Sequence, residues 1–483
     1  MADTENTYEV AVIGAGPAGL AAASEAAAGG AHTVLIDAAG QFGGQYWRHA
    51  DEQSSSEDPA VWHHGWKTYT GLASAVDDAI SAGKLQYLPA SHVIAAEAGS
   101  PFSLSIAPVP ESQPEHQGLT QIRAHTVVLC PGAYDRQLPV PGWTLPGVMA
   151  AGGIQAFIKT QGISPGQRVV LGGTGPFLLS AAASVLQAGA EVAAICESSD
   201  LTGWVPRGVS AALVPSKGKE GAEYIALLAR HRVPYFRRRA VVAIHGDQRA
   251  TAVSTARLNR DGKALPGTER IIEDVDLVGL GWGFVPQSEL VVQLGAQMFR
   301  DADGSLVAEV DKDQQSSVPG LYLAGEITGV AGATAAVAEG RIAGRQVAGL
   351  RGGGRPPRSS ADIKDRVLRR NHRLFAQAMH RAHPLPQQWP EWLTDETVIC
   401  RCEEVPWQKT KEAIDSLSAE EPRGLKGATR IGMGWCQGRM CGQAADCLAS
   451  SDSADVAQAV ARRGPAIPVS LRALAGESGR ESS

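Results

Sequence analysis

Apolar and small residues recur in the same order in two stretches of the chain. Residues 8–37, YEVAVIGAGPAGLAAASEAAAGGAHTVLID, open with an aliphatic run, turn through glycines, pass into an alanine-rich segment and close in a second aliphatic run. Residues 167–197, QRVVLGGTGPFLLSAAASVLQAGAEVAAICE, repeat that grammar. Short β-branched runs bracketing a helix-forming segment predict strand, turn, helix and strand, and strands joined through helices run parallel. A βαβ unit met twice predicts an α/β chain with two dinucleotide-binding (Rossmann-like) folds.

The pattern beyond these units gives the division of the chain. Apolar strands return in DLVGLGWGFVP (276–286) and PGLYLAGEITG (319–329), read as the exit from the second fold and the return to the first. RGGGRPPRSS (351–360) has the composition of a linker, and ADIKDRVLRRNHRLFAQAMHRAH (361–383) has helical spacing with a basic face. The predicted units are residues 1–150 for the first part of one dinucleotide domain, 151–290 for the second, and 291–350 for the return. A linker and helix follow at 351–395, then a small α-rich domain at 396–450 and a polar tail at 451–483.

Composition narrows the function classes. With 44% apolar and 19% charged residues the 483-residue chain reads as globular and multidomain. A net charge of −6 without a basic block argues against nucleic acid as a partner. The N-terminal residues carry acids where a secretion signal carries Lys or Arg, and no uninterrupted apolar run reaches the ~18 residues of a membrane span. A cytoplasmic location is expected, with any membrane association made through a partner. Cys130 and Cys196 stand alone, whereas Cys400, Cys402, Cys436, Cys441 and Cys447 gather in one region, which predicts a local metal site in a reducing compartment.

In the first unit Gly14, Gly16 and Gly19 form a GxGxxG turn, with Pro17 and Ala18 opening the helix. Gly14 permits the tight turn, Gly16 admits a pyrophosphate to the backbone, and Gly19 lets helix and strand pack closely. The helix N-terminus offers unpaired N–H groups to phosphate, and Asp37 is placed to accept from a ribose diol. The fingerprint alone does not separate FAD from NAD. Gly44 and Gln45, just after Asp37, and a second strand–glycine–helix element at Gly325-Glu326 favour FAD, a molecule long enough to need both contacts.

At this point the chain resembles the two-dinucleotide-domain flavoproteins, the group that includes thioredoxin reductase. The resemblance implies further FAD contacts from Arg48, Val93, Gly132 and Ala333. It places Glu326 where the group usually has Asp against the ribityl chain. Cys130-Pro131-Gly132 falls where the group has a small-residue–Thr–Gly turn; Cys130 there reads as packing, not a redox thiol. No CxxC occurs in residues 1–395, so the redox dithiol of a thioredoxin reductase is missing.

The second unit offers Gly173, Gly175 and Pro176, but Leu178 stands where the third glycine belongs, so its helix is expected to sit further off. Glu197 is placed for a ribose and argues against a 2′-phosphate. A bound adenine nucleotide (ATP, ADP or NAD) and a fold kept only for structure are both open readings. In the cysteine region Cys400 and Cys402, with Cys436 and Cys441, supply two tight pairs of thiols. A [2Fe–2S] core leaves two outer positions on each iron, which four cysteinates fill. Zinc sites space their cysteines more widely than CxC. Arg401 and Arg439 sit inside the pairs, either to offset cluster charge or simply solvated, and Cys447 reads as a buried spare.

CRCEEV with WCQGRMCG resembles the [2Fe–2S] domain of the bacterioferritin-associated ferredoxin type. Together with GGQYWR (43–48) and PGAYDRQLPVPGWTLPGVMAAGG (131–153), the whole arrangement resembles the large subunits of bacterial FAD-dependent amino-acid dehydrogenases. Those include opine oxidases, hydrogen cyanide synthase, hydroxyproline dehydrogenase and dye-linked proline dehydrogenases. The resemblance implies a smaller D-amino-acid-oxidase-like flavoprotein partner that oxidises the amine, and a downstream electron acceptor. It also leaves room for FMN at an interface between the partners and for a third small subunit. It fits a gap in the residues, since no triad or base stands beside the flavin motifs. His63-His64 are adjacent in a loop and are expected to point apart. Two other readings stay open: a self-sufficient NADH-dependent reductase with the cluster as exit, and a nucleotide-binding assembly or sensing module without redox turnover.

Overall fold

The computed structural model describes residues 7–51, 58–109, 118–350, 359–449 and 464–475. Most of the expected linker at 351–360 and most of the tail at 451–483 lie outside these residues. The first unit is laid down by β1 (Thr7–Ile13), α1 (Pro17–Ala28), β2 (Thr33–Ile36), α2 (Trp66–Ser81), β3 (Leu85–Leu88), β4 (Ser91–Glu97), β5 (Phe102–Pro108) and β6 (Thr120–Leu129). Its sheet has the order β3-β2-β1-β6-β5-β4. The β1, β2 and β6 pairings are parallel, whereas β4 and β5 meander back antiparallel. Val10, Ala11 and Val12 are buried, as expected of a strand covered on both faces.

The second unit begins after β7 (Ala133–Asp135), with β8 (Val148–Ala150), α3 (Ala151–Gln161), β9 (Arg168–Gly173), α4 (Phe177–Gln187) and β10 (Glu191–Glu197). Helices α5 (Gly208–Ala212) and α6 (Pro215–Arg230) and strand β11 (Tyr235–Arg237) follow. A three-stranded antiparallel sheet comes next: β12 (Arg239–His245), β13 (Ala252–Arg257) and β14 (Arg270–Glu273). Strand β15 (Leu277–Gly281) completes a parallel sheet of order β11-β10-β9-β15-β8. The chain leaves through β16 (Phe284–Pro286), which pairs antiparallel with β7.

Helix α7 (Glu289–Gln293) and the hairpin β17 (Met298–Arg300) and β18 (Leu306–Ala308) then pack on the first unit, with Leu290, Val291 and Met298 in its core. Strand β19 (Leu321–Leu323) joins the first sheet parallel to β6, opposite Val127–Leu129. Helix α8 (Ala333–Leu350) lies directly on α1. That closeness rests on glycine. A Cβ at Gly340 would overlap the Ala18 carbonyl, and one at Gly344 would come 2.5 Å from the Ala22 carbonyl oxygen. Alanines on one helix and glycines on the other let two backbones meet where larger side chains would hold them apart.

Helix α9 (Ser360–Ala382) is capped by Ser359, whose side chain accepts from the Asp362 N–H. Its basic residues divide: Lys364, Arg370 and Arg381 are exposed, whereas Arg366 pairs with Asp362 and Asp313, both at 2.7 Å, and Arg373 turns inward. The cysteine region adds β20 (Val398–Cys400), β21 (Val405–Pro406), α10 (Trp407–Leu417), α11 (Pro422–Thr429) and α12 (Gly442–Leu448). It shares a core with the second unit, where Trp143, Trp282 and Val253 meet Ile399, Ile431 and Leu448. Trp143 donates its indole N–H to the Val398 carbonyl at 2.6 Å.

Candidate functional site

The first fingerprint is built as its glycines demand. Gly14 has φ +100°, and a Cβ there would overlap the Cys130 carbonyl; one at Gly19 would overlap the carbonyl of Gly14. Cys130 lies beneath both glycines, buried, its thiol pushed up by that burial, as a packing residue and not a redox group. Asp37, at the end of β2, accepts from the Ala15 N–H with one carboxylate oxygen and from the Ala39 N–H (2.6 Å) with the other. Burial raises its pKa, and the two N–H donors and Arg48 act against that rise. Each oxygen keeps a lone pair for a ligand.

The other predicted FAD residues gather around this turn. Gly43 donates to the Ala15 carbonyl at 2.9 Å, and Gly44 (φ +58°) lies so close to Gly16 that a Cβ on it would stand 2.8 Å from the Gly16 Cα. Gln45 is exposed at this loop, and Arg48 is half-buried behind it. The N–H of Ser91 donates to the Asp37 carbonyl at 2.8 Å, which brings the start of β4 alongside the acid. Val93, two residues further, has its side chain in the sheet core, so only its main chain is left for a ligand. Gly132 (φ +78°) faces open space and accepts from Gln287 N–H at 3.1 Å.

Across the cradle, Gly325 (φ +88°) leans on Ala18 at the start of α1. Two helix N-termini, those of α1 and α8, are thereby set beside one another, each with unpaired N–H groups. The Glu326 carboxylate is held by the Gly332 N–H at 3.2 Å through Oε1, while its buried Oε2 has no hydrogen-bond partner among the described residues. Burial moves its pKa up to about 7, with Arg373 acting against the rise. Ala333, the first residue of α8, is half-buried beside it. A buried acid oxygen without a protein partner is suited to a polar ligand. Open cradle, paired helix ends and an orphaned acid together fit a long dinucleotide with a hydroxylated chain.

Three side chains that the sequence reading missed hold this cradle. Glu339 accepts from the Gly325 N–H at 2.9 Å and from the Thr328 hydroxyl at 3.0 Å. Arg373 of α9 binds Glu339 through Nε (2.8 Å) and Nη2 (2.6 Å) and donates to the carbonyl of Gly329. Lys159 of α3 reaches over from the second unit to the carbonyl of Tyr46 at 2.8 Å, and burial lowers its pKa to about 8. An acid inside the apolar run of α8 was the available signal for Glu339. Nothing in sequence spacing pairs it with Arg373.

The second fingerprint is formed but covered. Leu178 does not push α4 away, because Gly281 on β15 supplies the missing space, with the Leu178 side chain 3.0 Å from where a Gly281 Cβ would stand. Gly173 is equally indispensable, since a Cβ there would overlap the Gly281 carbonyl. Pro176 is exposed at the turn. Glu197 accepts from the Gly175 N–H (2.8 Å), the Thr174 hydroxyl (3.0 Å) and the Ser199 N–H (2.9 Å), and it is buried.

The four predicted cysteines converge. Cys441 lies beside Cys400 and Cys436, and Cys402 beside Cys436. Backbone N–H groups of Gly432, Glu403 and Cys402 point to the Cys400 sulfur, and those of Met440 and Gly438 to that of Cys436. Cys400 and Cys441 are buried, Cys436 is half-buried and Cys402 exposed. No group of three or more His, Cys, Asp or Glu among the described residues is arranged to hold a single ion. A two-iron core takes four cysteinates, the number of thiols that Cys400, Cys402, Cys436 and Cys441 supply.

Arg401 is exposed and solvated, whereas Arg439 is 10% exposed and engaged: it donates to the Tyr134 hydroxyl at 2.9 Å and the Cys436 carbonyl at 3.1 Å, and pairs with Glu289 at 3.1 Å. Cys447 is exposed, contrary to expectation, because Ala444, Ala445 and Leu448 take the inner face of α12. His63 and His64 do point apart, His63 toward the carbonyls of Pro59 and Arg48 and His64 toward the Tyr224 ring.

The family model for pyridine nucleotide-disulphide oxidoreductases matches residues 8–340. The chain is 30% identical to an opine oxidase subunit of Agrobacterium tumefaciens (strain Ach5), over 98% of this chain and 92% of that protein. It is also 30% identical to the hydrogen cyanide synthase subunit HcnB of Pseudomonas aeruginosa, over 89% of this chain and 90% of that one. Among solved structures, L-proline dehydrogenase from P. horikoshii shares the fold, with a TM-score of 0.66 and 19% identity over 97% of this chain and 79% of that one. With its open dinucleotide cradle and this kinship, the chain belongs to the pyridine nucleotide-disulphide oxidoreductase family and is an FAD-dependent oxidoreductase related to the opine oxidase and hydrogen cyanide synthase subunits.

Proposed function

We propose that this chain is the electron-relay component of a heteromeric amine or amino-acid dehydrogenase, carrying FAD in the first fold and a [2Fe–2S] cluster on Cys400, Cys402, Cys436 and Cys441. The observation that carries this reading is the convergence of four thiols, in two pairs with N–H donors, on the same chain as the flavin cradle. FAD accepts two electrons as a hydride and returns them singly, and a [2Fe–2S] cluster carries one at a time. Gly14, Gly16 and Gly19 admit the pyrophosphate, Asp37 accepts from the ribose diol, and Glu326 takes the ribityl hydroxyls. Gly44 and Gln45 close the loop over the turn, and Gly132 leaves room for the ring.

The amine is oxidised elsewhere, on a smaller D-amino-acid-oxidase-like flavoprotein. FMN at the interface serves as a further carrier, and a third small subunit completes the assembly. The names of the relatives, as subunits of opine oxidase and hydrogen cyanide synthase, support a multi-subunit assembly. No helix among the described residues is long and apolar enough to cross a membrane. Affinity capture of the tagged chain, with metal analysis and low-temperature EPR of the reduced complex, tests the reading. About two irons and two sulfides per chain, with a flavin-bearing oxidase-like partner, are expected. Full-rate amino-acid oxidation by the isolated chain, or a chain without iron, overturns it.

A further inference from the structure

The two dinucleotide folds of this chain are in opposite states. Gly14, Gly16 and Asp37 of the first are partly open to solvent, whereas Gly173, Gly175 and Glu197 of the second are buried. Part of what covers Gly175 and Glu197 comes from far along the chain. We propose that His383, at the C-cap of α9, occupies the ribose position of the second fold and closes it to nucleotides.

The geometry is specific. The His383 Cβ lies 4.0 Å from where a Cβ on Gly175 would stand, so the side chain leaves the backbone beside the second glycine of the turn. Its Nδ1 faces Glu197 Oε2 at 3.6 Å, with the side chain 7% exposed. The indole N–H of Trp204 donates to His383 Nε2 at 2.9 Å. Indole is a donor only, so Nε2 carries the lone pair and Nδ1 the proton. That N–H has no hydrogen-bond partner among the described residues and is directed at the acid, where a ribose hydroxyl of a bound adenosine would donate.

The plug is held by its surroundings. Trp204 packs on Phe375 and on His383, with ring centroids 5.6 and 5.8 Å apart. Its neighbour Gly203 fits so tightly beneath α9 that a Cβ would stand 2.7 Å from the Ala382 carbonyl oxygen. A nucleotide entering the second fold therefore has to displace an imidazole held between Trp204 and Glu197. On this account nicotinamide does not deliver hydride to the flavin here, and the first fold alone carries a dinucleotide. The inference stands apart from the relay role, since it concerns only the second fold.

Calorimetric titration of the FAD-loaded full chain with ADP, ATP and NAD, up to about 1 mM, tests it. The wild type is expected to bind none of the three, to carry no adenine nucleotide other than FAD, and to show no flavin bleaching with NADH. His383→Ala, and separately Trp204→Phe, which removes the donor that holds the ring, are expected to gain one ADP site at least roughly tenfold tighter than the wild type. An unchanged flavin spectrum confirms that each variant is folded. Nucleotide bound or carried by the wild type at this fold, or no gain in either folded variant, overturns the proposal.

Discussion

Arg373 binds Glu339 through two nitrogens, Nε at 2.8 Å and Nη2 at 2.6 Å, on one carboxylate oxygen, leaving the other oxygen for the Gly325 N–H and the Thr328 hydroxyl. The pair joins α9 to the loop that contributes half of the flavin cradle. Glu339 is 1% exposed and Arg373 22%. Removing one partner of a buried pair leaves the other charge uncompensated, a cost of about 3–5 kcal/mol. Arg373→Ala is therefore expected to lower the melting temperature and the FAD content of purified protein together. Arg373→Ala with Glu339→Gln is expected to recover part of both. A double-mutant cycle of FAD occupancy and thermal unfolding checks it, and strict additivity counts against the coupling.

Glu326 gives a pH signature with a definite sign. Its pKa, raised by burial to about 7 from an ordinary 4.5, means that the folded apoprotein holds a proton the unfolded chain has lost between those values. The stability from that proton is complete below the unfolded pKa and is lost as pH rises through 7. Glu326→Gln mimics the protonated acid. The variant and the wild-type apoprotein should melt alike near the acid end and diverge through pH 7, with the variant more stable by on the order of 3 kcal/mol on the alkaline side. Parallel melting curves at every pH would show that Glu326 is not desolvated as described.

Where apolar periodicity and glycine spacing decide the structure, the sequence told most of it. Both βαβ units and the return of Leu321–Leu323 to the first sheet follow from local pattern. What escaped was long-range and side-chain-specific. Leu178 suggested a helix held away from its sheet, but the compensating Gly281 lies on another strand. Nothing in the sequence neighbourhoods of Arg373, Lys159 and His383 announces a carboxylate or carbonyl from another part of the chain. The sequence leaves Arg439 between charge compensation and solvation, and the contacts to Tyr134 and Glu289 that engage it come from distant parts of the chain.

The α1–α8 contact predicts an unusually steep cost for a small change. At Gly340 a Cβ would overlap the backbone carbonyl of Ala18, and backbone at the start of α1 has nowhere to retreat without disturbing the fingerprint. Overpacking a tight core costs about 1–3 kcal/mol. Gly340→Ala is expected to destabilise by at least that much and to weaken FAD binding through the displaced α1 N-terminus. Gly427→Ala, at an exposed-side helical position with nothing within 4 Å, is the control and should be neutral or slightly stabilising. FAD titration of the two apoproteins separates them.

Arg439 links the cysteine loop to the flavin side of the molecule, and its loss should be felt at the loop first. The guanidinium spans the Cys436 carbonyl (3.1 Å), the Tyr134 hydroxyl (2.9 Å) and Glu289 (3.1 Å), and Tyr134 lies two residues beyond the turn at Gly132. Each bond to a charged group is worth about 1.5–3 kcal/mol when buried. Arg439→Gln keeps some polarity but neither the charge nor the reach, so residues 400–441 should exchange amide hydrogens faster while β1 and β9 keep their protection. If the proposed cluster forms, its iron is expected to be lost to a chelator faster than from wild type, with Arg439→Lys intermediate because a lysine keeps the charge but not the fork. Tyr134→Phe removes one of the bonds and should give a smaller change in the same direction. Uniform loss of protection across the whole chain in Arg439→Gln would mean that the residue supports the fold at large and not the attachment of the cysteine loop.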